Sequence, residues 1–177
     1  MHNVNLDRIR ETQRKAKDDA TAAMIKVDMK GDWRTDSSKP QFGGTVKFPK
    51  GELLLEGDFP PFLGGEGRTP SPLTYCFYGA MCCYGATFAM QAAMAGVELQ
   101  ALRIGLKLTV DFRTALELGS VQPLSPFQFE VEVETKASEE QVQRVKSLAD
   151  QRCPAIWAME NPVPYSTSAR RVAPATA

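Results

Sequence analysis

The chain has 177 residues, a length typical of one domain that can bury a sizeable core. Lys plus Arg number 21 and Asp plus Glu number 21, and neither sign forms a long block. The sequence therefore lacks the charged surface that attracts nucleic acid or anionic membranes, and neither partner is expected. The N-terminus lacks the apolar stretch of a secretory signal, and no segment is long and apolar enough to span a bilayer. We expect a cytoplasmic protein.

The first part of the chain changes its pattern near residue 24. Residues 1–23 mix charges of both signs with few apolar positions, which predicts a charged helical arm. Over residues 24–30 apolar side chains alternate with charged ones, which is typical of a strand. Strands are also predicted over 45–48 and 52–56, and the turn residues between them indicate a hairpin.

A Pro- and Gly-rich stretch over 57–72 predicts a loop, and a long helix should follow from Pro72 to Ala95. Ser71 can cap this helix, Pro72 suits its first position, and Gly96 can end it. The helix contains no charged side chain and is apolar on every face, so it should be buried all round. A small domain can hardly enclose such a helix alone, and we expect a symmetric homodimer to cover it.

The second half of the chain predicts more strands and another helix. Alternating apolar residues indicate strands over 104–112 and 127–133, and a last strand is expected over 165–172. Ser138 and Gln141 form a capping box for a helix that closes near Cys153, before a short helical turn at Trp157. The prediction is an α+β fold with an antiparallel sheet, one domain over residues 24–172 and a disordered tail over 173–177.

Three of the four cysteines, Cys76, Cys82 and Cys83, lie on the long helix. Cys76 and Cys83 would be roughly 10 Å apart, and the adjacent Cys82 and Cys83 point about 100° apart, so neither pair can bridge within regular helix geometry. This leaves Cys153 as the unstrained partner of a helix cysteine.

Cys153 precedes Pro154 and should sit at a helix N-cap, where free N–H groups and the neighbouring Arg152 favour its thiolate. The alternative is that these cysteines are inert small apolar residues, and we keep that interpretation for Cys76 and Cys82.

Other types of site are poorly supported. The single histidine is His2, so neither a Ser-His-Asp triad nor a His-rich metal site is available. The cysteines lack the C-x-x-C spacing of structural zinc, and the GGEG run lacks the P-loop lysine. We expect no metal and no cofactor.

Two motifs resemble the OsmC/Ohr family, the osmotically inducible protein C and organic hydroperoxide resistance proteins. The run GGEGRTPSPLTYCFYGAMCCYGATFAMQAAMAG matches its Gly-rich loop, Pro-Ser-Pro segment and central helix, whose cysteine falls on Cys83. Cys153-Pro154 matches the second motif, a Cys-Pro at a helix boundary late in the chain.

The resemblance implies an OsmC-like fold and an intertwined homodimer with central helices back to back and active sites at the interface. It also implies that the Cys83 thiolate attacks an organic hydroperoxide and that Cys153 resolves the sulfenic acid as a disulfide. An external dithiol reductant would close the cycle.

The sequence departs from the family pattern at two activating residues. Leu73 and Thr74 occupy the place of the family's glutamate, and the arginine's place falls near Leu63. Glu66 and Arg68 are the nearest candidates, and Arg68 could lower the pKa of the thiol. The alternative function is a non-catalytic OsmC-like protein that binds an apolar small molecule at the dimer interface.

Overall fold

A computed structural model describes residues 1–173, and the chain begins with the predicted charged helix. Helix α1 spans Leu6–Asp18, and the side chain of Asn5 caps it by accepting a hydrogen bond from the Arg8 N–H. None of its residues is buried, as its charged sequence predicts. A 3₁₀ turn at Ala20–Ala23 follows.

The first sheet has three antiparallel strands in the order β1-β2-β3, with β1 at Asp32–Trp33, β2 at Phe42–Phe48 and β3 at Gly51–Gly57. The predicted hairpin is confirmed, because β2 and β3 pair from Phe42↔Gly57 to Phe48↔Gly51. The strand predicted over 24–30 is wrong, since this segment runs unpaired and its apolar side chains are exposed. Alternation shows which side chains share a face, but a strand also needs a neighbour for its backbone N–H and C=O groups.

Helix α2 spans Pro72–Met94, with Ser71 at the N-cap and Gly96 just beyond its end at φ 72°. The Ser71 hydroxyl contacts the Thr74 hydroxyl and caps no backbone N–H, which differs from the predicted role. Only one face of the helix is buried. The opposite face, which comprises Tyr78, Gly79, Cys82 and Ala86, is exposed in the single chain, and burial of the helix all round remains a prediction that depends on the expected partner subunit.

A second antiparallel sheet pairs β4, Ala101–Lys107, with β5, Gln128–Glu134. The strand predicted over 104–112 is too long, because beyond Lys107 only one isolated bridge joins Val110 to Leu124. The two sheets share no strand, so the single predicted sheet is replaced by two. The inner face of β4–β5 packs on α2, where a Cβ on Gly85 would lie 3.2 Å from Ile104 Cγ1.

Helices α3, Glu139–Arg152, and α4, Pro154–Glu160, complete the regular structure. The predicted Ser138–Gln141 capping box is present in full. The strand predicted over 165–172 is wrong, because residues 165–172 are exposed and pair with no strand. Residues 174–177 of the predicted tail lie outside the described residues.

The core lies where α2 crosses α3 beneath β4 and β5. Its fully buried side chains include Tyr84, Phe88, Val145 and Cys153. The α+β fold class is therefore confirmed, and one cysteine lies at the centre of the core. Within residues 1–173, none of the helices has the length and apolar character needed to cross a membrane.

Candidate redox site

The fold brings together two cysteines that are far apart in the sequence. Cys83 lies on α2, and Cys153 joins α3 to α4 with 0% of its surface exposed. Their sulfur atoms are 3.7 Å apart, with the Cys153 S–H donating to the sulfur of Cys83. Since a disulfide requires about 2.04 Å, the sulfurs would approach by roughly 1.7 Å to form one.

Two polar contacts tie the last turn of α3, just before Cys153, to α2. The Tyr84 hydroxyl donates to Asp150 Oδ1 at 2.7 Å, and Arg152 Nη1 donates to Gln91 Oε1 at 2.6 Å. Tyr84 and Gln91 are both buried, while Asp150 is half-buried and Arg152 is exposed, so these bonds are partly shielded from water. The sulfur pair is therefore held by hydrogen bonds as well as by core packing.

The surroundings of Cys83 favour its neutral thiol. Burial raises the pKa of Cys83 and the adjacent Cys153 thiol acts in the same direction, whereas a hydrogen bond from the Ala155 backbone N–H lowers it. Ala155 lies in the first turn of α4. The free N–H groups at this helix N-terminus were expected to stabilise the Cys153 thiolate, but one of them bonds to Cys83 instead. Cys153 itself makes no side-chain capping bond to α4.

Glu66 and Arg68 lie elsewhere in the single chain, around Asp58. Asp58 is 2% exposed, and its Oδ2 accepts hydrogen bonds from the backbone N–H groups of Glu66 at 3.3 Å and Arg68 at 3.0 Å. The Arg68 guanidinium donates to the backbone carbonyls of Ser37 and Lys39. This loop adjoins the start of α2, and Cys83 is 11 residues further on, roughly 16 Å along the helix axis.

Sequence reasoning missed the residues that organise this loop. Besides Asp58, Gln41 spans it: its Nε2 donates to the Gly64 carbonyl, and its Oε1 accepts from the Phe59 N–H. An aspartate at the start of a Pro- and Gly-rich segment is a known turn-forming signal, so Asp58 could have been found. Gln41 carries no comparable local signal.

The remaining cysteines are placed as simple surface thiols. Cys76 and Cys82 are both exposed on α2. Across the described part of the chain, no group of three or more His, Cys, Asp or Glu side chains is arranged to hold a metal ion.

The fold and the paired thiols define a small α+β protein with a buried dithiol site, and a family model agrees. Residues 65–168 match the model for OsmC-like protein, which is more than half of the chain, and the chain belongs to this family. The resemblance seen in the sequence is thereby confirmed. No curated protein sequence matched the chain.

Three solved structures that share this fold are described below. An OsmC-like protein from Mycoplasma pneumoniae has TM-score 0.56 and 17% identity, covering 78% of this chain and 89% of its own. An organic hydroperoxide resistance protein OsmC from Legionella pneumophila has TM-score 0.52 and 14% identity, covering 77% and 91%. A candidate organic hydroperoxide resistance protein from Vibrio cholerae, with captopril in one active site, has TM-score 0.53 and 15% identity, covering 78% and 88%.

Proposed function

We propose that this protein is a thiol-dependent peroxidase for organic hydroperoxides, in which Cys83 attacks and Cys153 resolves. The observation that carries the proposal is the 3.7 Å separation of the two sulfurs inside the core. Membership of the OsmC-like family, some of whose structural relatives are named organic hydroperoxide resistance proteins, supports the same chemistry.

The proposed cycle balances without a metal or cofactor. The Cys83 thiolate attacks the hydroperoxide, the O–O bond breaks, and the products are the Cys83 sulfenic acid and an alcohol. The Cys153 thiol then forms the S–S bond and releases water. An external dithiol reduces the disulfide by exchange and is itself oxidised. Since Cys153 already lies against Cys83, resolution requires a shift of the sulfurs rather than local unfolding.

Within residues 1–173, no cationic side chain is among the groups that set the pKa of Cys83, so activation of its thiol needs a further group. The pKa of Cys83 is raised chiefly by burial, and only a thiolate is nucleophilic. The Arg68 guanidinium is bonded to the carbonyls of Ser37 and Lys39, away from Cys83 of the same chain. Arg68 would therefore have to act on Cys83 of a second copy, across a dimer interface. The exposed apolar face of α2 supports such a homodimer, because this face would otherwise contact water.

The experiment is one stoichiometric pulse of an organic hydroperoxide, followed by alkylation and peptide mapping. We expect a Cys83–Cys153 disulfide, because these two sulfurs already lie in contact, with Cys76 and Cys82 recovered as free thiols when the alkylation is done in denaturant. Cys153→Ser should stop at sulfenic acid on Cys83 and over-oxidise, since the resolving thiol is gone.

Two variants separate specific chemistry from general oxidation. Cys83→Ser should not consume hydroperoxide, while Cys82→Ser, a change at the adjacent position, should behave as the parent does. If Cys83→Ser reacts as fast as the parent, or the pulse oxidises the cysteines indiscriminately, the proposal is wrong.

A binding function is the second candidate, and one cavity favours it. An apolar cavity of about 470 Å³ lies between β1–β3 and the start of α2, with Trp33, Phe42, Phe59 and Tyr75 in its walls. Its size and lining suit a small apolar molecule. Val46→Asp would place a charge in this wall and should abolish binding of an apolar fluorescent probe, whereas Val163→Asp on the exposed C-terminal segment should not.

A further inference from the structure

We propose that the reduced Cys83–Cys153 pair is a chelating site for trivalent arsenic, presented as an arsenoxide or arsenite. The site uses the same two sulfurs as the proposed peroxidase, but it rests on their geometry and not on that activity. It would make the protein a target for thiol-seeking arsenicals, with the cysteine pair as the point of capture.

The separation of the sulfurs favours an ion that bridges them through a bent geometry. Arsenic–sulfur bonds are close in length to the zinc–thiolate bond, and two bonds of about 2.3 Å that meet at roughly 100°, below the tetrahedral angle, place the sulfurs roughly 3.5 Å apart. The observed separation is 3.7 Å. A linear bridge, which monovalent copper or divalent mercury prefers, would need about 4.6 Å, roughly 0.9 Å more than the observed separation. A bent bridge requires the smaller shift of the two sulfurs.

The number of thiols at the site excludes zinc and leaves arsenic. Structural zinc requires four protein ligands, and residues 1–173 offer no group of three His, Cys, Asp or Glu side chains around these sulfurs. Trivalent arsenic makes three bonds, and in an arsenoxide one of them is already made to the organic group. Two thiols are then sufficient.

The condensation balances with no change of oxidation state. Each thiol loses its hydrogen and forms one S–As bond, the As=O oxygen leaves as water with both hydrogens, and arsenic remains trivalent. Neutral thiols suit this reaction, and both sulfurs here face apolar side chains of the core. Cys83 is only half-buried and would react first, after which the buried Cys153 closes the chelate.

Selectivity over the other two cysteines follows from their placement. Cys76 and Cys82 are exposed on α2, and Cys76 is seven residues from Cys83, roughly 10 Å along the helix. Cys76 would therefore form a single As–S bond, and the Cys82→Ser variant tests whether the adjacent Cys82, which points about 100° away from Cys83, takes part. At Cys83–Cys153 the second As–S bond forms within one molecule, where the effective concentration of the second thiol is high. A monothiol competitor should therefore not displace the arsenic.

The test is one equivalent of phenylarsine oxide added to the reduced protein, followed by exchange into a monothiol and intact-mass analysis. The expected result is one phenylarsenic group gained with two hydrogens lost, mapped to the Cys83 and Cys153 peptides and removed by a small dithiol. Cys83→Ser and Cys153→Ser should each lose the adduct, while Cys82→Ser should keep it; far-UV circular dichroism checks that each variant folds.

Three outcomes overturn the inference: no stable adduct on the reduced parent, an adduct that survives in Cys153→Ser, or its loss in Cys82→Ser. A separate hydroperoxide pulse distinguishes this failure from failure of the peroxidase. A protein that forms the disulfide but retains no arsenic refutes the arsenic site alone, and one that retains arsenic but ignores hydroperoxide refutes the peroxidase alone.

Discussion

The hydrogen bond between Tyr84 and Asp150 anchors the helix that carries Cys153, and its removal has a calculable effect. Tyr84 is 2% exposed and donates to Asp150 Oδ1 at 2.7 Å. A hydrogen bond to a charged group contributes about 1.5–3 kcal/mol. Because the Asp150 side chain is 41% exposed and also pairs with Lys146, water can replace part of the bond. We therefore expect Tyr84→Phe to lower the free energy of unfolding by about 1–2 kcal/mol near pH 7.

The stability difference between the parent and Tyr84→Phe should also depend on pH. Burial and, next, the hydrogen bond to Asp150 raise the pKa of Tyr84 above its ordinary value. For a pKa raised by folding, the stabilisation is complete below the unfolded-state pKa of about 10 and declines as the pH rises above it. At pH 11 the unfolded parent gains about 1.4 kcal/mol from tyrosine ionisation, and the phenylalanine variant gains none. The gap between the two proteins should nearly close.

Urea denaturation with a reductant present, at equal protein concentrations near pH 7 and pH 11, measures both quantities. Tyr165→Phe is the matched control, because Tyr165 is 89% exposed and should give no gap at either pH. Equal stability of Tyr84→Phe and parent at neutral pH would refute the anchoring role. A gap that does not narrow at pH 11 would refute the raised pKa.

Three further predictions concern activation, assembly and the loop around Asp58. If Arg68 activates Cys83 across the interface, Arg68→Ala should slow alkylation of Cys83 at neutral pH and leave it nearly unchanged at high pH, where every thiol is ionised; equal rates at all pH values would remove Arg68 from the site. Light scattering should return about twice the monomer mass of 19.5 kDa at micromolar concentration, because the α2 face needs a cover, and a monomer mass that persists on concentration would contradict this. Backbone N–H bonding, chiefly from Arg68, lowers the pKa of Asp58, so its stabilisation is present above the usual carboxyl range and is lost as the pH falls through the folded pKa. Asp58→Asn should accordingly expose the loop to trypsin at Arg68, and unchanged cleavage would show that Asp58 does not hold it.

Predictions with a local physical cause agreed best with the structure. The Ser138–Gln141 capping box, the start of α2 at Pro72 and the β2–β3 hairpin each depend on residues a few positions apart. Capping bonds and turn geometry act over one turn of chain, so their signals are complete in the sequence. The family resemblance also rested on contiguous motifs, and the family model confirmed it.

The sequence by itself determined the α+β class, the limits of α2 and α3 and the two cysteine motifs, whereas the tertiary structure decided which side chains are in contact. Residues 24–30 alternate as strands do, and residues 165–172 are predicted as a strand, yet both remain unpaired, because strand formation depends on a neighbour that the segment itself does not specify. Arg68 is only 15 residues from Cys83 but bonds to Ser37 and Lys39, while Cys153, 70 residues away, contacts it at 3.7 Å. Side-chain contact is set by the packing of α2 on α3, and this packing depends on the whole core rather than on any one segment.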